Sequence, residues 1–158
     1  MAGAPAAVDS ITLASNRLRG ELWPRRIILG LCATVLVLSA VLSLGGEPGQ
    51  VWLPLIHRPL PPLCQMKMLT GFDCPGCGLT RSFIAMAHGQ WRDSFRFNPA
   101  GPLWFAFLAI QIPYQALQLH RISRGKRPLD LSWWGQGMIY TCLAALILQW
   151  AVRQLGWF

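Results

Sequence analysis

The residues best placed to do chemistry lie in TGFDCPGCGLTRSF, Thr70 to Phe83, where Cys74 and Cys77 are separated by a proline and a glycine. C-x-x-C is a zinc-ligand spacing, because a tight turn can aim both thiolates at one ion. Tetrahedral zinc takes four ligands, so the pair needs two more. Cys64 is the natural third, and His57, His88 and Asp73 are the nearby candidates for the fourth. A helix starting at Leu79 rises about 1.5 Å per residue and carries His88 roughly 15 Å from Cys77, out of reach of a shared ion. His57 meets no such bar, so the metal set is Cys64, Cys74, Cys77 and His57, with zinc as its ion.

The same pair fits two other chemistries. C-x-x-C pairs form the disulfides of thiol oxidoreductases, and a cysteine at a helix start is a stronger acid. Thioredoxin-like sites place the reactive thiol first and surround it with a βαβ pattern, which is not legible here. A location outside the cytoplasm favours disulfides, and a bridge from Cys64 to Cys74 or Cys77 leaves one thiol over. The third reading is a tight turn in which Pro75 fixes the backbone and Gly78 relieves crowding. Metal, thiol chemistry and plain turn all stay open. Cys32 and Cys142 sit in apolar runs, where cysteine is a small apolar filler.

Thr80 and Arg81 follow the pair at the expected helix start. Free amides, a hydroxyl and a guanidinium there can hold an anion, and a lipid phosphate is the obvious one at a membrane surface. The competing role for Arg81 is to bond the carbonyls of the turn and lock it. No Ser–His–Asp set, paired carboxylates or phosphate loop is visible among the few acidic residues, so the pattern leans away from an enzyme.

The elements that must position these residues belong to a membrane protein. Apolar residues make up 53% of the 158-residue chain and charged ones only 13%, about half the share of an ordinary soluble domain. The net charge of +8 sits in short clusters beside apolar runs, so it argues for membrane topology, and no nucleic-acid partner is expected. Spanning takes about 20 apolar residues. Three runs qualify: 27–44, 98–119 and 133–152, the second opening with Asn98 as N-cap and Pro99 at the first helical position. Pro113 is expected to kink that second span.

Arg17, Arg19, Arg25 and Arg26 precede the first run, and Arg121, Arg124, Lys126 and Arg127 crowd the link between the other two. Both clusters are expected on the cytoplasmic side. The N-terminus is then inside, and the segment 45–97, with its cysteines, lies on the outer face. Residues 1–26 read as a flexible cytoplasmic tail, and 27–158 as one integral membrane domain. The first run reads as an uncleaved anchor, since no A-x-A site follows it.

Within the outer segment, glycines and prolines from Gly45 to Pro62 predict an irregular or extended stretch, with RPLPP as a stiff spacer. From Leu79 the spacing turns helical and Gly89 is its stop. A second short amphipathic helix is expected in QWRDSFRF, with Trp91 and Phe95 on one side. Both pieces are too short to span and suit the membrane interface.

An upstream Cys64, then LTGFDCPGCGLTRSFIAMAHG, then FNPAG resembles the bacterial membrane-protein family known as domain of unknown function 2752. The resemblance covers Cys64 to Gly101 and rests on C-P-x-C-G-x-T-R, which falls on Cys74, Pro75, Cys77, Gly78, Thr80 and Arg81, with N-P on Asn98 and Pro99. Gln90 departs from it, where that family commonly has an acidic residue. The resemblance implies a bacterial cytoplasmic membrane address and no established activity. The expectation is an all-α membrane protein with three transmembrane helices, an outer cysteine loop and short interfacial helices. Its partners are the bilayer and another membrane protein, and its role is accessory, with thiol–disulfide exchange at Cys74 and Cys77 as the alternative.

Overall fold

A computed structural model describes residues 4–45, 50–53, 58–59, 69 and 73–155. Good helix formers, chiefly alanine, leucine and arginine, carry the chain from the start into the first apolar run. Helix α1 accordingly runs unbroken over Ala4–Val41, with Pro24 inside it. The segment read as a tail is thus the first part of the same helix from Ala4 onward. The apolar stretch able to cross a membrane is Gly20–Val41, which begins and ends earlier than expected.

It ends early because residues 43–44 are already extended. Ser43–Leu44 (β1), Val51–Leu53 (β2) and Arg58–Pro59 (β3) form an antiparallel meander in the order β1-β2-β3. Ser43 pairs with Trp52, and Trp52 with Pro59. Pro59 lacks an N–H and sits on an edge strand, where a sheet tolerates that loss. The expected spacer is therefore partly a small sheet.

Helix α2 is Leu79–Ala87 and α3 is Trp91–Phe97, where the periodicity placed two short helices. Gly89 ends α2 at φ 73°, with Gln90 N bonded to Ala85 O (2.8 Å) and Gly89 N to Met86 O (3.1 Å). That pair of bonds is a Schellman cap, which needs a left-handed residue. Helix α4, Gly101–Ser123, ends the same way at Gly125, and helix α5 is Ser132–Gln154. Pro113 lies inside α4, and the helix continues through it.

Among the described residues, Gly20–Val41 and Trp133–Gln154 are the two helical stretches long and apolar enough to cross a membrane. Helix α4 falls short of that measure because Gln111, Gln115, Gln118, His120 and Arg121 dilute its second half.

The helices alternate in direction. His88 Nε2 donates to Leu42 O (2.8 Å), which places the end of α1 beside α2. Gly101, at the start of α4, lies so close to Ser82 of α2 that a Cβ there would collide with the hydroxyl. Helices α1 and α4 are therefore antiparallel, and the end of α5 returns to the same side. The core beneath α2 holds Phe83, Ile84 and Ala85, with Phe83 edge-on to Phe105 at 5.8 Å. At the opposite end the buried Gln118 grips Leu129, accepting from its N–H (3.0 Å) and donating to its carbonyl (2.8 Å). This closes the basic link between α4 and α5.

Candidate functional site

The cysteine pair forms a turn that runs into a helix. Cys77 N donates to Cys74 O (2.9 Å) and Leu79 N to Gly76 O (3.0 Å), so two successive turns share Gly76 and Cys77. Gly78 then starts α2 at φ 83°, a left-handed conformation that glycine adopts without strain. The absence of a side chain matters a second time, since a Cβ on Gly78 would run into the carbonyl of Phe97. Pro75, Gly76, Cys77 and Gly78 thus press the turn onto the end of α3.

Asn98 secures the junction from the other side. Its Nδ2 donates to Cys77 O (3.2 Å) and its Oδ1 accepts from Ala100 N (3.0 Å). Gly101 N closes a turn onto Asn98 O (2.9 Å), with Pro99 inside it. The helix N-cap is Ala100, not Asn98, and α4 begins at Gly101 with Pro102 in its first turn. The Asn-Pro pair therefore makes the bend before the helix, because Asn98 Oδ1 already accepts from Ala100 N while its Nδ2 is held by Cys77 O. Behind it the buried Ser82 and Ser94 hydroxyls meet at 2.7 Å, and Ser94 Oγ donates to Ser82 O (2.9 Å), pinning α3 on α2.

The last helix supplies the remaining partners. Trp150 Nε1 donates to Asp73 O (2.7 Å) and Gln149 Nε2 to Pro75 O (2.9 Å). Arg153 sends Nη2 to Phe97 O (2.7 Å) and Nη1 to Cys77 O (3.4 Å), and Gln154 Nε2 reaches Asp73 O (3.3 Å). Positions 149, 150, 153 and 154 share one side of a helix. One side of α5 therefore reads a row of carbonyls on the cysteine turn. The half-buried guanidinium of Arg153 spans the two strands of chain, Cys77 and Phe97, that Gly78 brings together.

Arg153 takes the role open to Arg81. Arg81 is exposed, and no hydrogen bond or ion pair joins it to another described residue. Thr80 beside it is exposed too. Gln149, Arg153 and Gln154 were not legible as site residues, and Trp150 reads from sequence only as a membrane-interface marker. Their signal is the run of long donors closing an otherwise apolar helix.

Cys74 and Cys77 are half-buried on the turn. Cys64 and His57, the other two members of the expected metal set, lie outside the described residues. Among the described residues no disulfide is formed and no three His, Cys, Asp or Glu side chains gather as a metal site. His88 is engaged with Leu42 at the far end of α2 from the cysteine turn.

Comparison with curated proteins and with solved structures gives no match. A family model does match, over residues 64–112. That segment holds the cysteine turn, α2, α3 and the first half of α4, whereas α1 and the donors on α5 lie outside it. Over that segment the chain is similar to the family described as protein of unknown function (DUF2752).

Proposed function

We propose that this chain is a small polytopic protein of a bacterial cytoplasmic membrane, crossing it three times through α1, α4 and α5. Its N-terminus lies inside and the cysteine turn outside. It acts as a non-enzymatic accessory protein that meets another membrane protein, and CPGCG is its structural joint. The observation that carries this is the row of bonds from Gln149, Trp150 and Arg153 to the carbonyls of Pro75, Asp73, Cys77 and Phe97. A turn whose backbone is used to seat the last helix is built for assembly. The exposed apolar side of α5, with Ile139, Tyr140, Leu143, Ile147 and Leu148, suits lipid contact.

The alternative, thiol–disulfide exchange, draws on the Cys74–Cys77 turn, which holds the two residues three apart in one hydrogen-bonded loop. Differential alkylation with mass spectrometry separates the two. Purified protein is equilibrated in glutathione buffers from reducing to oxidising, and the alkylated thiols are counted. A structural joint gives the same count for Cys74 and Cys77 throughout. A reversible two-thiol change at this pair would replace the structural reading with the redox one. Zinc measured alongside, wild type against Cys74→Ser, decides whether a metal completes the joint with Cys64 and His57.

A further inference from the structure

A cleft opens between the end of α1 and the start of α2. Val35, Leu38 and Leu42 form one wall, and Leu79, Phe83 and Ile84 the other. Ser39 also lines it, but its hydroxyl is bonded to Val35 O (2.8 Å) and adds no free polar group. Thr80 is the one other polar residue of the lining, and Arg81 follows it on the exposed surface of the first turn of α2.

We infer that this cleft holds one acyl chain of an anionic phospholipid, with the lipid phosphate met by Thr80 and Arg81. Three observations converge on that occupant. Val35 and Leu38 of the first wall belong to Gly20–Val41, a stretch long and apolar enough to cross a membrane, and Leu42 directly follows it, so the cleft opens at the end of that stretch. Val35, Leu38 and the neighbouring Val37 and Val41 are exposed, which makes the cleft continuous with an apolar strip. A lipid tail enters along that strip without leaving hydrocarbon. Finally, Arg81 has no acidic partner among the described residues, and a basic side chain near a membrane surface attracts anionic headgroups.

The inference rests on the membrane reading above and deepens it. The test uses full-length protein in neutral detergent and native mass spectrometry. The probes are phosphatidylglycerol, phosphatidylcholine with the same acyl chains, and inorganic phosphate, and the variants are Arg81→Gln and Leu38→Trp. One phosphatidylglycerol is expected per chain, preferred over phosphatidylcholine. Arg81→Gln, at an exposed position, is expected to cut phosphatidylglycerol binding about fivefold, to the level of phosphatidylcholine. Leu38→Trp fills the cleft and is expected to lose both lipids.

Equal binding of the two lipids by the wild type, or unchanged binding in either variant, overturns the inference. Displacement of the lipid by equimolar inorganic phosphate also overturns it, because the site would then read an anion alone. Carbonate extraction of membranes separates this from the larger reading. A wild type that stays in the membrane but retains no lipid loses only the cleft. A wild type that washes out loses the membrane assignment itself.

Discussion

Gly78 and Gly89 stand at the two ends of one short helix, both left-handed, and the difference between them is a test of the site. Alanine at either position meets a backbone penalty of about 1–2 kcal/mol. At Gly89 the space for a Cβ is open, so that penalty is the whole cost. At Gly78 the new methyl also strikes the Phe97 carbonyl and must push the turn off α3. Thermal unfolding in detergent is expected to show Gly78→Ala clearly less stable than Gly89→Ala; equal melting temperatures would mean that the contact with Phe97 is not tight. Both glycines were legible in the sequence, because a left-handed residue leaves a local mark. The role of Asn98 was half legible. Asn-Pro suits an N-cap and a pre-helical turn equally, and the choice is made by Cys77 O, twenty-one residues away.

Helix α5 is the element that sequence described worst. Its apolar length was visible, and its end at Gln154 falls close to the expected boundary. Its bonds to residues 73–77 were not visible, because the acceptors are backbone carbonyls and any residue type supplies one. A distant donor therefore has no partner type to reveal it. The same logic explains the exchange of roles between Arg81 and Arg153: nearness in sequence favoured the first, while the fold delivers the second. Arg153→Met removes charge-assisted bonds to two carbonyls and is expected to cost about 2 kcal/mol. The readout is the maleimide labelling rate of Cys74 and Cys77 in native protein, which is expected to rise about thirtyfold as the turn opens more often. Arg153→Lys, a single-point donor without the planar fork, is expected to restore only part of the protection. An unchanged rate in Arg153→Met would show that α5 does not hold the turn.

At the scale of the molecule, the alternating helices bring the cysteine turn, α2 and α3 to one end and the basic link between α4 and α5 to the other. The orientation we propose for that arrangement rests on the charge pattern, with Arg121, Arg124, Lys126 and Arg127 crowded in the short link at one end. Helix count was harder to read, since α4 mixes Phe105, Phe107 and Leu108 with glutamines that serve internal bonds. Cysteines placed singly at Arg92 and at Ser123, on a background lacking native cysteines, report the topology through a membrane-impermeant maleimide. Position 92 is expected to label from outside in intact cells and position 123 only after lysis; labelling of both from one side would remove the α4 crossing. The seating of Trp150 and Arg153 on the turn has a further consequence, for the order of assembly. Asp73, Pro75, Cys77 and Phe97 are made long before residues 149–154 leave the ribosome. Their carbonyls wait for the last helix, so this end of the molecule closes only once that helix is in place, and the finished turn is a record that the chain is complete through α5.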